Sequence, residues 1–90
     1  MRYIWDDRKN TANIRKHGIA FEDAIRVFES RMFVWPDERF QYDEERWVAS
    51  GIAEGHEIVV VYVETDEERR IISARPATRR EREIYWQHGG

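Results

Sequence analysis

The sequence predicts a single small α+β domain over residues 1–90: a small antiparallel sheet with two N-terminal helices and one C-terminal helix, in the order β-α-α-β-β-β-β-α. Three observations predict it. The run Ile58-Val59-Val60-Val61-Tyr62-Val63 is apolar on both of its alternating faces, the pattern of a central strand buried on both sides. Phe21, Ala24, Ile25 and Phe28 recur at i, i+3, i+4 and i+7, which gives a helix one apolar face with which to cover a sheet. Thr78 and Glu81 have capping-box spacing directly after the alternating stretch 70–75, so the chain turns there from strand to helix.

In chain order, Tyr3-Ile4-Trp5 is a short apolar run suited to an edge strand. Asp6 is a good N-cap and Asp7 puts negative charge in a first turn, so a helix is expected over about 7–16. Lys16 and His17 supply cations to its last turn, and Gly18 supplies the left-handed residue that ends it. Ala12 and Ile14 are its few apolar residues, which puts this helix on the surface. The Phe21 helix follows, then a short strand 32–35 stopped by Pro36 and a polar loop over 37–45. Residues 46–52 read as a strand in which Gly51 suggests a bulge, and 53–56 turn the chain into the central strand 58–63. On that strand Val59, Val61 and Val63 should be buried on one face, and Ile58, Val60 and Tyr62 on the other. A short hairpin at 65–68 leads to the strand 70–75, with Ile71, Ser73 and Arg75 expected on one face and Arg70, Ile72 and Ala74 on the other. The last helix should run from Arg79 to about Gln87, and Gly89-Gly90 should be a frayed end.

Composition narrows the function classes. A chain of 90 residues has a limited core, which favours a homo-oligomer or an obligate partner. There is no cysteine, hence no disulfide framework or zinc thiolate site; no apolar run approaches a membrane span, and no signal-peptide core is evident, so a cytoplasmic protein is expected. The net charge of −3 argues against a general nucleic-acid binder, but its distribution is uneven. Residues 1–18 hold five cations against two acids, +3; residues 69–90 hold six against two, +4; residues 19–68 hold four against fourteen, −10. If the ends meet in the fold they form one basic region; the alternative is a scattered, solvated surface.

Arg75 stands before Pro76, which holds it extended, and beside the capped start of the last helix. Two readings follow: a guanidinium preset for bidentate contact with a phosphate, or a structural pair with one of the many carboxylates.

The combination of Trp5-Asp6, Asn13 with Lys16-His17-Gly18-Ile19, Phe21-Glu22-Asp23-Ala24, Val60-Val61-Tyr62, the stretch from Arg70 to Arg75, Ala77-Thr78-Arg79 and Glu81-Arg82 resembles the BrnT family of type II toxins, over nearly the whole chain. The resemblance implies a RelE-like fold and an endoribonuclease that blocks translation by cutting RNA. It also implies a cognate BrnA-type antitoxin with a ribbon-helix-helix domain, through which alone DNA is contacted, in a complex that represses its own operon. Such toxins are often basic, whereas this chain is net acidic.

Metal-independent RNA cleavage needs a base for the 2′-hydroxyl proton, cations for the charge on the phosphorane, and an acid for the leaving oxygen. No metal or cofactor is expected, since His17, His56 and His88 are scattered without ligand spacing. The catalytic candidates are Arg75 as phosphate clamp, Arg70 close to it in sequence, Lys16 and His17 as the proton-handling pair, and Tyr85 for base stacking or proton transfer. Helix capping is the plainer role for Lys16 and His17, and packing the plainer role for Tyr85. Arg79, Arg80, Arg82 and Arg15 are the RNA-binding candidates. Arg79 and Arg80 oppose the helix dipole, a cost that a phosphate, Glu81 and Glu83, or plain solvation would offset. Trp35, Trp47 and Trp86 are assigned to core or interface, and the acids of 37–45 to a solvated loop or a surface for a basic antitoxin segment. A second function class stays open: a non-catalytic module that brings a DNA-binding partner into a repressor complex.

Overall fold

Strands Arg2–Trp5 (β1), Phe33–Pro36 (β2), Trp47–Ala53 (β3), His56–Glu64 (β4) and Glu68–Pro76 (β5) form one sheet in the order β1-β5-β4-β3-β2. The computed structural model describes residues 1–39 and 43–88; the middle of the polar 37–45 loop and the end expected to fray, Gly89-Gly90, lie outside the described residues. The fold is α+β. From β2 to β5 every neighbour is antiparallel, whereas β1 joins β5 parallel, with Tyr3 opposite Arg69 and Trp5 opposite Ile71, so the sheet is mixed. Parallel neighbours cannot be joined by a hairpin, and here all the rest of the fold except the C-terminal helix lies between them in sequence.

Helix Asp7–His17 (α1) begins on Asp6, whose Oδ1 accepts from the Arg8 and Lys9 N–H groups, and ends on Gly18 at φ 71°. Its one buried side chain is Asn13, while Ala12 and Ile14 are exposed. Helix Phe21–Ala24 (α2) tightens at once into a 3₁₀ helix, Ile25–Glu29. Three residues per turn stack Phe21, Ala24 and Val27 as the fully buried line; Phe28, expected there on a 3.6-residue period, is only half-buried. Gly51 is not a bulge. A Cβ there would stand 2.6 Å from Ser30 Oγ and 2.8 Å from Val27 Cγ1, so its bare backbone is what lets the 3₁₀ helix lie on β3. The 53–56 turn carries Glu54 at φ 50° and Gly55 at φ 78°, two positive angles that match the right-handed twist of the hairpin.

The central strand β4 is buried on both faces, as expected. Ile58, Val60 and Tyr62 join Phe21, Ala24, Val27, Ile71 and Ala74 in the main core under α1 and α2, and Val59 and Val61 join Val48 and Ala77 in a smaller one behind. Helix Arg79–Gln87 (α3) covers part of this second face; Tyr85 is buried there, and its hydroxyl donates to the Arg31 carbonyl at 2.8 Å. No helix among the described residues is long and apolar enough to cross a membrane.

Candidate functional site

Among the described residues, the face of the sheet away from α1 and α2 is only partly covered, and a bulge in β5 decides which arginines it carries. Tyr62 pairs with Ile71 and Val61 with Ser73, so Ile72 is an extra residue in β5. An extra residue reverses the alternation beyond it. Ile71 and Ala74 both enter the core under the helices, and Arg70, opposite Val63, and Arg75, opposite Val59, share the open face. The expectation that Arg70 and Arg75 point to opposite faces is thus corrected: strict alternation holds only without the bulge, and no glycine marks it.

Arg75 is held through the backbone beside it and through its guanidinium. Asn13 Oδ1 accepts from the Ala74 N–H at 3.1 Å, and Asn13 Nδ2 donates to the Ala74 carbonyl at 2.8 Å and the Ile19 carbonyl at 2.9 Å. The register of β1 stops at Trp5 opposite Ile71, so beyond that point this buried carboxamide satisfies the edge of β5 as a further strand residue would. The Arg75 guanidinium then donates to both Glu81 oxygens, at 2.6 and 2.9 Å. Glu81 is at the same time the N3 residue of the capping box, accepting from the Thr78 N–H at 2.9 Å while Thr78 Oγ1 accepts from the Glu81 N–H at 3.2 Å. The hydrogen bonds from Arg75, ahead of the backbone N–H of Thr78, hold the Glu81 carboxyl down from the ordinary 4.5 to about 2, and the same bond raises Arg75. Both readings of Arg75 therefore meet in one geometry: a fork fixed beside a helix start, with a carboxylate as its present partner.

Arg75 and Glu81 line a cleft of about 370 Å³ with Trp35, Val48, Val61, Asp37 and Arg39. Arg39 donates from Nε and Nη2 to the buried Asp37 carboxylate at 2.8 and 3.1 Å, and its charge is close enough to act on Arg75. Arg70 pairs with Glu44 on the same open face. A second cleft, about 320 Å³, lies at the end of the sheet between Ile19, His56, Pro76, Ala77 and Arg82. The corner from Arg75 to Ala77 separates the two.

The other sequence-named residues are dispersed. Lys16 is exposed and His17 half-buried at the end of α1, which packs on the face of β5 opposite Arg75; Ile19, two residues past His17, lines the second cleft. Arg15 is exposed on α1, and Arg80 on the first turn of α3. Arg79 reaches Glu83 at 3.4 Å, so a carboxylate offsets part of its conflict with the dipole. Arg82 donates to the Ala77 carbonyl at 3.0 Å. Tyr85 occupies its packing role. Trp35 and Trp47 are half-buried against the two cores, and Trp86 is 51% exposed, its Nε1 donating to Glu57 at 3.1 Å. Sequence reasoning missed Asn13 as the brace of β5, Glu81 as the partner of Arg75, and Arg39 in the cleft. The capping-box spacing marks Glu81; nothing local marks the other two. No cluster of three metal-ligating side chains occurs among the described residues.

Comparison with curated proteins finds no match. Over residues 5–81 the sequence matches the family described as ribonuclease toxin, BrnT, of type II toxin-antitoxin system. That stretch takes in Trp5 at the end of β1, both N-terminal helices, strands β2 to β5, Arg70, Arg75 and Glu81. The chain belongs to the BrnT family, the ribonuclease toxins of type II toxin–antitoxin systems, and this membership implies an antitoxin partner.

Proposed function

We propose that the protein is an endoribonuclease toxin of the cytoplasm that cuts RNA without a metal ion, stops translation by doing so, and is silenced by a BrnA-type ribbon-helix-helix antitoxin that covers its basic region. The observation that carries the reading is Arg75, a guanidinium fixed at a capped helix start on an open sheet face that also bears Arg70. In the proposed reaction the 2′-hydroxyl loses its proton to a base and attacks the neighbouring phosphorus. Arg75 stabilises the charge that builds on the phosphorane oxygens, the bond to the 5′ oxygen breaks, and an acid protonates that oxygen. Donors already aimed at a phosphate need no reorganisation as the charge develops. Glu81, with its carboxyl near 2, is too weak a base for this step and serves to aim Arg75. Lys16 and His17 are the proposed proton carriers, which requires RNA to pass round the Pro76–Ala77 corner from one cleft to the other.

The saturation of Arg70 and Arg75 by carboxylates favours one competing reading, the non-catalytic module that only assembles with a DNA-binding partner. Cleavage of RNA by purified, partner-free protein in EDTA separates the two. With cleavage in hand, Arg75→Ala is expected to lose about 10²–10³ in rate, the usual cost of one oriented donor, and Arg79→Ala far less. Glu81→Gln breaks the same ion pair but leaves the guanidinium in place. With the aim loosened but the guanidinium present, it is expected to cost less than Arg75→Ala; an Arg75→Ala variant that is folded and cleaves like the parent would make Arg75 a structural ion-pair residue.

A further inference from the structure

The two arginines of the open face are held by carboxylates in very different ways. Glu81 is 18% exposed at its side chain, grips Arg75 with both oxygens and accepts from the Thr78 backbone as well. Removing it from Arg75 would disturb the start of α3. Glu44 is 40% exposed, touches Arg70 through one oxygen, and Arg70 is itself 43% exposed. Glu44 belongs to the segment leading into β3, and β4 lies between β3 and β5, so this carboxylate reaches across the open face to occupy Arg70. A pair so exposed is weak and easily exchanged, because water screens it on most sides. A phosphate can meet the guanidinium fork with two oxygens where Glu44 uses one.

From this contrast, and resting on the proposed RNA-cleaving function, we propose that Arg70 is a second RNA-phosphate subsite on the open face and that Glu44 is its built-in competitor, displaced when RNA binds. Arg70 and Arg75 are five positions apart on one strand, about 16 Å at about 3.3 Å per residue, so a single RNA strand running along β5 meets both. Arg75 is the fixed clamp and Arg70 the releasable one. Each RNA that binds must first exchange the Glu44 carboxylate for a phosphate, which lowers the affinity of a chain whose fold already carries the needed cations. This accounts for an acidic residue standing on the substrate face of an RNA-binding protein.

The test measures binding of a fluorescein-labelled single-stranded oligoribonucleotide, methylated at its 2′ oxygens so that it is bound but not cut, over a series of salt concentrations. Glu44→Gln frees Arg70 and is expected to tighten binding about two- to five-fold, the scale of an exposed pair, and to steepen the salt dependence by up to about 0.7 in log–log slope, the increment for one more phosphate contact on a single strand. Glu64→Gln is the control, with the same change in charge on the pair with Arg69, whose guanidinium lies over the Phe28 ring on the helix-covered face. Arg70→Ala in the Glu44→Gln background should erase the gain. The inference is overturned if Glu44→Gln behaves like Glu64→Gln, or if the gain survives without Arg70. Should the parent and every variant leave the RNA unbound, the proposed function falls and this subsite with it; an unchanged slope with binding retained overturns the subsite alone.

Discussion

At the scale of single residues, the Arg75–Glu81 pair couples folding to the candidate chemistry. The folded Glu81 carboxyl lies near 2, below its unfolded value of 4.5, so the pair's contribution is fully present above pH 4.5 and is lost as pH falls towards 2. A depression of that size, with both side chains partly shielded, corresponds to about 2–3 kcal/mol of stability. Glu81→Gln keeps an acceptor for the Thr78 N–H but removes the charge. Urea unfolding at a series of pH values should therefore show the variant about 2 kcal/mol less stable at pH 7, with a shallower loss between pH 4.5 and 2 than the parent. An acid limb of unchanged steepness would mean that another carboxylate governs it. The same pair explains why the sequence left two readings of Arg75 open: a fork suited to phosphate is equally suited to a carboxylate, and six residues of separation round a strand–helix corner do not reveal which one it meets.

At the scale of elements, hydrophobic pattern and cap chemistry were legible because they are local. Asp6, Gly18 and the Thr78–Glu81 box mark their helix ends, and the two-sided apolar run marks β4. The Ile72 bulge was not legible, since isoleucine suits either face of a strand and only the pairing of β4 with β5 exposes the extra residue. One residue of slip moved Arg70 across the sheet and so changed the composition of the candidate site. The tightening of the second helix to a 3₁₀ form has the same origin, in contacts with β3 that the chain makes only once folded. Asn13 is the element-scale device that a pattern search passes over, because it is a polar residue on a polar helix. Its carboxamide bonds Ala74 on both sides and the Ile19 carbonyl besides. Asn13→Ala leaves buried backbone groups of β5 unpaired, at about 1–3 kcal/mol for each unsatisfied group. A loss of about 2–4 kcal/mol is expected in thermal or urea unfolding, together with faster hydrogen exchange at the Ala74 amide in particular. Protection at Ala74 equal to the parent's would show that water replaces the side chain without loss.

At the scale of the whole molecule, the basic ends of the chain do meet: β1 pairs with β5, and α1 packs on it. Much of that charge is already spoken for, since Arg2 pairs with Glu68, Arg69 with Glu64, Arg70 with Glu44 and Arg79 with Glu83. Arg8, Lys9, Arg15 and Lys16 make no ion pair among the described residues, and they line α1, on the side of the sheet opposite Arg75. Cations so placed attract RNA over distance, whereas only those at the site hold it. Attraction over distance raises the association rate and fades with salt, as the Debye length falls from about 10 Å at 0.1 M to about 3 Å at 1 M. Contact instead slows dissociation. Stopped-flow binding of a non-cleavable oligoribonucleotide should therefore divide α1 into two parts. Neutralising Arg8 and Lys9, near its start, is expected to slow association several-fold at low salt and leave dissociation unchanged. Lys16→Gln, at the end nearest the second cleft, is expected to speed dissociation, because the proposed path of RNA round the Pro76–Ala77 corner brings a phosphate to it. A Lys16→Gln variant that alters association alone would take the end of α1 out of the site and confine the chemistry to the open face around Arg75.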